Sequence, residues 1–170
     1  MFPAASHANP DVRPAGRSDL GVLLDVLSEA REDQVRQGLP PSWRVLPHSA
    51  VAAGIDRGET YLVQLAGDPV GTFALESEDA AVWPGSDGPK AAYLHRLAVL
   101  PFHHGRGIGA FAVDWAARTA AVRGCLLLRL DAVAANARLC SWYERLGFAP
   151  RGEVLLPGWQ RASMRFEREV

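Results

Sequence analysis

The sequence predicts a single α/β domain whose helices flank a mixed, mostly antiparallel central sheet. Strand-like runs of β-branched and apolar residues alternate with segments whose apolar residues recur at helical spacing. Two pairs of strand-like runs are separated by short connections that contain glycine and proline, a pattern typical of antiparallel hairpins. A chain of 170 residues has the length of one domain with a substantial core.

The first half of the chain is predicted to hold two helices and a hairpin. Residues 1–10 contain two prolines and small polar residues, so we expect a flexible arm followed by one domain over 11–170. Ser18 is a good N-cap for a helix whose leucines recur three and four residues apart. The predicted elements are a strand over 11–14, a helix over 19–32, a loop over 34–47, a helix over 49–57, and the hairpin strands 60–66 and 70–76.

The second half is predicted to be built around a central strand and the helix that follows it. Gly124 and Gly147 stand where the C-caps of two helices are expected. The predicted elements are a strand over 93–99, a helix that ends before Gly124, a strand over 126–130, a helix over 137–146, and the hairpin strands 149–155 and 160–167. By alternation, one face of the central strand is predicted to carry Tyr93, His95, Leu97 and Val99. One face of the helix before Gly124 is predicted to carry Ile108, Phe111, Ala112, Trp115, Thr119 and Val122.

Composition excludes several classes of function. The formal net charge is -1, so the chain lacks a global basic field and we expect no nucleic-acid partner. Cys125 and Cys140 are too few for a disulfide framework and are expected to be inert thiols of a reducing compartment. No apolar run approaches the roughly 18 residues that span a bilayer, and the N-terminus lacks a signal pattern. We therefore expect a cytoplasmic protein with no membrane partner.

A glycine-rich loop joins the central strand to the next helix. Gly105, Gly107 and Gly109 let successive backbone N–H groups converge on one point without a Cβ in the way. The helix N-terminus behind the loop adds a partial positive charge. The loop therefore predicts a phosphorylated ligand.

Two motifs in the segment 93–148 resemble those of the GNAT superfamily of N-acetyltransferases. The phosphate loop of that family is usually Arg/Gln-x-x-Gly-x-Gly/Ala, and the matching positions here run from His104 to Gly109, with histidine in place of the usual first residue. The second family signature is an Asn followed seven residues later by a Tyr and then Gly-Phe, which this chain matches with Asn136, Tyr143 and Gly147-Phe148. The predicted element order upstream also fits, so the resemblance covers nearly the whole chain.

The resemblance implies acetyl-coenzyme A as cosubstrate, no metal ion, and an amine acceptor that is a small molecule or a peptide. It also allows a homodimer, since relatives are often dimers. In the family, the central strand carries a bulge and splays from its neighbour, so that its backbone pairs with the pantetheine arm and a freed N–H polarises the thioester carbonyl. The implied coenzyme-binding residues are Leu97, Ala98, Val99, His104, Gly105, Arg106, Gly107, Ile108, Gly109, Ala110 and Asn136.

Two side chains are candidates for proton transfer. The resemblance implies that Tyr143 is the general acid that protonates the coenzyme thiolate, although an aromatic beside Trp142 is equally a core residue. His95 is the candidate base, because imidazole titrates near neutral pH and an alkylammonium acceptor must lose a proton. Glu76 and Asp131 are alternative bases, and a lone strand histidine is often structural.

Two other functions compete with acetyl transfer. The spacing of Gly105, Gly107 and Ala110 loosely satisfies a dinucleotide fingerprint, with Asp131 at the end of the next strand, which would suit a nucleotide-dependent oxidoreductase. A coenzyme A-binding module without turnover would share the glycine loop but would not need Tyr143.

Overall fold

The computed structural model describes residues 9–43, 46–85 and 88–170. Short 3₁₀ turns at Arg17–Asp19 and Pro101–His103 precede two of the helices. The strands are β1 (Pro10–Pro14), β2 (Thr60–Leu65), β3 (Asp68–Glu76), β4 (Ala91–Val99), β5 (Leu127–Val133), β6 (Ala149–Val154) and β7 (Ser163–Glu169). The helices are α1 (Leu20–Arg36), α2 (His48–Asp56), α3 (Ile108–Val122) and α4 (Ala137–Arg145).

The sheet has seven strands in the order β1-β2-β3-β4-β5-β7-β6. Strands β4 and β5 are parallel, and every other neighbouring pair is antiparallel. The predicted fold class is therefore confirmed. A dinucleotide-binding fold needs several parallel βαβ units, whereas the described ranges of this chain contain one parallel pair, so the oxidoreductase alternative does not fit.

Helices cover both faces of the sheet. Helices α1 and α2 bury Leu23, Leu27, Val51 and Ile55 against one face, where they meet Leu62 of β2. Helices α3 and α4 cover the other face, which holds the larger core cluster. Within the described residues, none of these helices has both the length and the apolar character that crossing a bilayer requires.

The buried face of α3 differs from the predicted one. Ile108 and Ala112 of the predicted face are buried, but Val122 is 88% exposed, and the other fully covered positions are Val113, Ala116 and Ala120. Small side chains allow the helix backbone to lie close to β4, so the alanines, rather than the bulkier residues of the predicted stripe, define the interface.

Several predicted boundaries shift. Most of the predicted arm, residues 1–8, lies outside the described residues, and Pro10 already pairs with Leu65. Ser18 is not an N-cap, because a 3₁₀ turn precedes α1 and Gly16 caps that turn. Helix α1 continues to Arg36, whose guanidinium lies 2.8 Å from Glu29 and stabilises the last turns.

Candidate active site

The central opening of the molecule lies where β4 and β5 separate. Their pairing covers residues 91–93 against 127–129, and both strands continue beyond this point without pairing to each other. A cavity of about 760 Å³ occupies the gap. Its walls come from the C-terminal half of β4, the end of β5, the glycine loop, α4, the end of α1 and the segment around Asp79.

A bulge in β4 also separates this strand from β3. Ala74 pairs with His95 and Thr72 pairs with Ala98, so β4 holds one extra residue between these pairs. Arg96 adopts a left-handed conformation with φ of 51° at this point, and its guanidinium lies 2.7 Å from Glu76. Arg96 and Leu97 therefore have no partner residue on β3, which leaves backbone groups here without a ladder partner.

The bulge overturns one prediction about β4. Tyr93 packs with the cluster of Val82 and Trp83, whereas Leu97 and Val99 pack with the core of α3 and α4 on the opposite face. Tyr93, His95, Leu97 and Val99 therefore do not share one face, because the extra residue reverses the alternation after His95.

The glycine loop opens onto the cavity. Gly105 and Gly107 have φ of 74° and 77°, a region that glycine adopts without strain. Phe111 makes the first hydrogen bond of α3 to Gly107, so the N–H groups of residues 108–110 lack a helical acceptor. A Cβ on Gly109 would lie 3.3 Å from the Trp142 ring, so this glycine allows α3 and α4 to pack closely. The loop thus presents free donors at a helix N-terminus.

The side chains of His104 and Arg106 in this loop contact other parts of the protein. The Nε2–H of His104 donates to the Val99 carbonyl at 2.9 Å, which attaches the loop to the end of β4. Arg106 does not line the cavity, and its guanidinium lies 5.1 Å from the centre of the exposed Phe102 ring. The arginines that do line the cavity are Arg138 and Arg145 of α4 and Arg96 of β4, and the guanidinium of Arg96 is paired with Glu76.

The start of α4 places Asn136 and Tyr143 on the cavity wall. Asn136 is buried and caps α4, because its Oδ1 accepts from the Leu139 N–H at 3.1 Å. The Tyr143 ring packs against Trp142 and Phe148, with ring centroids 5.0 and 5.8 Å away. Burial, and secondly the charge of Asp131, raises the pKa of Tyr143 above its ordinary value. The phenol is therefore protonated at neutral pH and can act as an acid.

His95 belongs to a cluster with two carboxylates, here called the acidic cluster: Asp79, His95 and Asp131. Its Nε2 lies 3.1 Å from Oδ2 of Asp79. One ligand atom from each of the three residues lies within 4.8 Å of the others. The three residues come from the segment after β3, from β4 and from β5, and all three line the cavity. Such a set can accept a proton, hold a cationic group, or ligate a divalent cation.

Burial and the neighbouring groups shift the pKa of both His95 and Asp131. Burial lowers the pKa of His95, but the interaction with Asp79 and the charges of Glu76 and Asp131 outweigh it, so that this pKa is raised. The pKa of Asp131 is raised, and burial is the largest cause. The charge of Asp79 raises this pKa further, whereas the hydrogen bond from Ser163 and the charge of His95 lower it. Asp131 therefore acts electrostatically on both His95 and Tyr143.

All but one of the predicted site residues line this cavity. The exception is Arg106, as described above. Those on the wall are His95, Leu97, Ala98, Val99, His104, Gly105, Gly107, Ile108, Gly109, Ala110, Asn136 and Tyr143. Glu76, an alternative base, pairs with Arg96 and does not line the cavity. Sequence reasoning missed Asp79 and Trp159, which come from irregular segments with no motif around them.

Comparisons with known proteins identify the family of this chain. A model of the acetyltransferase (GNAT) family matches residues 24–148. The uncharacterized N-acetyltransferase YesJ of Bacillus subtilis (strain 168) is 39% identical over 71 residues, a match that spans 41% of this chain and only 39% of that relative.

Solved structures share the fold at lower identity. An acetyltransferase of the GNAT family from Listeria monocytogenes 4b F2365 superimposes with a TM-score of 0.82 at 21% identity, over 98% of both chains. The PaiA N-acetyltransferase of Thermoplasma acidophilum, solved in complex with coenzyme A, has a TM-score of 0.71 at 16% identity, over 95% of this chain and 99% of its own. Because the family model covers most of the sequence and includes both the glycine loop and α4, the chain belongs to the acetyltransferase (GNAT) family.

Proposed function

We propose that the protein is an N-acetyltransferase that transfers the acetyl group of acetyl-coenzyme A directly to a primary amine. The observation that carries this proposal is a shared cavity: the glycine loop, Tyr143 and His95 all line the gap between β4 and β5. Membership of the acetyltransferase family, and the coenzyme A bound to the Thermoplasma acidophilum relative, support the choice of cosubstrate.

The coenzyme is assigned to the side of the cavity that offers donors and cations. The free N–H groups at the start of α3 suit the pyrophosphate, because a helix N-terminus combines backbone donors with partial positive charge. Arg138 and Arg145 supply full positive charges on the same wall. The pantetheine arm then follows β4 from Val99 to Leu97, where the bulge leaves backbone groups without a ladder partner.

The acid and the base approach the reacting atoms from opposite faces of the sheet. Tyr143 packs within the layer of α3 and α4, whereas His95 faces Asp79 on the other side. The gap between β4 and β5 joins the two faces. A thioester held in this gap has its sulfur near Tyr143 and its carbonyl carbon accessible to an amine near His95.

The proposed chemistry balances its protons. His95 takes one proton from the ammonium, and the neutral amine attacks the thioester carbonyl, forming the C–N bond. The freed N–H near Leu97 stabilises the oxyanion, a contribution of roughly 2.7–4 kcal/mol for a well-placed donor. When the C–S bond breaks, the thiolate takes the phenolic proton of Tyr143, and Tyr143 recovers a proton from the amide nitrogen.

The test is to incubate the protein with acetyl-coenzyme A and a panel of primary amines, and to measure both free thiol and acetylated product. Equal amounts of thiol and amide are expected. Thermal unfolding with each cosubstrate is the companion measurement: a ligand at about 100 times its Kd adds roughly 2.7 kcal/mol of stability, and we expect this with acetyl-coenzyme A and not with NAD. Stabilisation by acetyl-coenzyme A without any amide product would favour a coenzyme A-binding module without turnover.

A further inference from the structure

We propose that the acetyl acceptor is a primary alkylammonium whose amino-bearing carbon carries no carboxylate, and that Asp79 and Asp131 bind its charged nitrogen beside His95. This inference rests on the proposed function and narrows the class of its acceptor. It favours amines, including the side chain of lysine, over free α-amino acids. Three features of this wall support it: the charge of the acidic cluster, an unsatisfied carboxylate oxygen, and the positions of the nearby arginines.

With both carboxylates ionised, the acidic cluster carries a net negative charge whether the His95 imidazole is neutral or protonated. Asp79 and Asp131 contribute a negative charge each, and His95 contributes at most one positive charge. Asp79 has a side chain that is 10% exposed, and His95 one that is 21% exposed, so water screens these charges weakly. A cation is therefore attracted to this wall, and an anion is repelled.

One oxygen of the cluster lacks a hydrogen-bond donor. Oδ1 of Asp79 accepts from the Val82 N–H at 3.2 Å. Oδ2 is buried and has no partner in hydrogen-bond geometry within the described part of the chain; the His95 Nε2, 3.1 Å away, interacts with it and stabilises its charge. A buried carboxylate oxygen without a donor is costly. An ammonium, with three donors on one compact centre, can satisfy it.

The arginines near the cluster are occupied by other partners. Arg96 pairs with Glu76, and Arg129 pairs with Glu167 at 2.8 Å. Arg165, which lies opposite Asp131 across the β5–β7 ladder, has its guanidinium 5.4 Å from the Trp83 ring centre. Within residues 9–43, 46–85 and 88–170, no lysine or arginine is within ion-pair distance of Asp79 or Asp131. The carboxylate of an amino acid would thus meet two like charges and no free cation.

The same arrangement helps the proton transfer. The ammonium arrives charged, held by Asp79 and Asp131, with His95 at the same point to take its proton. Loss of that proton gives the neutral amine next to the thioester and leaves the imidazolium between the two carboxylates, where its charge is stabilised. A carboxylate on the acceptor is not needed in any of these steps.

The experiment compares acceptors that differ only at the amino-bearing carbon. Three matched sets are used: pentylamine, norleucinamide and norleucine; phenethylamine, phenylalaninamide and phenylalanine; tyramine, tyrosinamide and tyrosine. We expect kcat/KM for the amine to exceed that for the amino acid on the order of 100-fold, because like charges are brought together where water screens them weakly. The neutral amides should fall close to the amines, which separates the effect of charge from that of size.

Two variants test whether the preference for amines over amino acids comes from the acidic cluster. Asp79→Asn and Asp131→Asn should each reduce the ratio of amine to amino acid at least about tenfold, because each removes one repelling charge. The ratio is compared within one variant, so any general loss of activity cancels. Asp68→Asn, a change of the same charge at the exposed tip of the β2–β3 hairpin, should leave the ratio unchanged.

Each contrary outcome has a distinct meaning. Acetylation of amino acids as fast as of the matched amines would overturn this inference and leave the proposed N-acetyltransferase function intact. Acetylation of no amine in the panel would contradict the proposed function, and this inference with it. Acetyl transfer that a chelator abolishes and a divalent metal ion restores would assign the cluster to a metal ion and likewise overturn the inference.

Discussion

Two parts of the cavity wall, the glycine loop and the acidic cluster, suit ligands of opposite charge. The loop uses backbone N–H groups that adjoin one another in sequence and a helix N-terminus, so it suits an anion. The acidic cluster uses side chains of Asp79, His95 and Asp131 from separate elements and suits a cation. One cavity can therefore hold an anionic cosubstrate and a cationic acceptor side by side, because the donors and the carboxylates occupy different walls of one gap.

Changes in the glycine loop should weaken coenzyme binding more than any other change proposed below affects the protein. Gly107→Val places a β-branched residue at φ of 77° and disrupts the backbone donors. Loss of two charge-assisted hydrogen bonds, each worth about 1.5–3 kcal/mol, should raise the Kd for acetyl-coenzyme A more than about 100-fold. Isothermal titration calorimetry measures this.

A matched control separates strain from binding. Gly124→Val introduces the same residue at φ of 74° in a position with open space around it, away from the cavity. This control should lose a similar amount of stability but keep its coenzyme affinity. Equal affinity of the two variants would show that the glycine loop does not bind the coenzyme.

The next largest effect is a fall in kcat when Tyr143, the proposed general acid, loses its hydroxyl. Tyr143→Phe removes the hydroxyl and keeps the ring in its aromatic packing, so coenzyme affinity should hardly change while kcat falls by about 100-fold or more, as general acid catalysis predicts. Tyr61→Phe removes the hydroxyl of another buried tyrosine that does not line the cavity, and its kcat should stay near that of the wild type. A wild-type kcat in Tyr143→Phe with a good acceptor would exclude the acid role.

The third effect is a shift in pH dependence. Although burial lowers the pKa of His95, the charges of Asp79, Glu76 and Asp131 raise it overall, so the acid limb of kcat/KM should lie above the ordinary histidine value of about 6.5. A raised pKa means that the neutral, basic form is reached only at higher pH. Asp79→Asn removes one raising charge, so the limb should move to lower pH, and His95→Ala should abolish it. An unaltered profile in both variants would remove His95 as the base.

The smallest of these effects is a loss of stability when the cap at the start of α4 is removed. Asn136→Ala deletes the cap on Leu139 and should cost about 1 kcal/mol, which lowers Tm by roughly 2–4 °C in a chain of this size. Asn136→Ser restores a cap oxygen without the amide and should recover most of this loss. If Asn136 also donates to the coenzyme, both variants should bind it more weakly; unchanged affinity in both would limit Asn136 to capping.

The two walls also differ in how far the sequence alone predicts them. The glycine loop is predictable from its own motif, and Asn136 and Tyr143 are predicted to share a face because they lie seven residues apart on one helix. The resemblance to the family implies that the loop and this helix serve one coenzyme. Asp79 could not be predicted, because it lies in an irregular segment and meets His95 only through the packing of that segment on the sheet. The face of Leu97 was predicted wrongly, since nothing near Arg96 in the sequence indicates that it adopts a left-handed conformation and reverses the alternation.

A structure of the protein with coenzyme A and the best alkylamine bound would locate both ligands in one cavity. We expect the pyrophosphate on the N–H groups of residues 105–110, the sulfur beside the Tyr143 hydroxyl, and the amine nitrogen in contact with Asp79, His95 and Asp131. A coenzyme bound away from the glycine loop, or an amine bound away from the acidic cluster, would contradict the account.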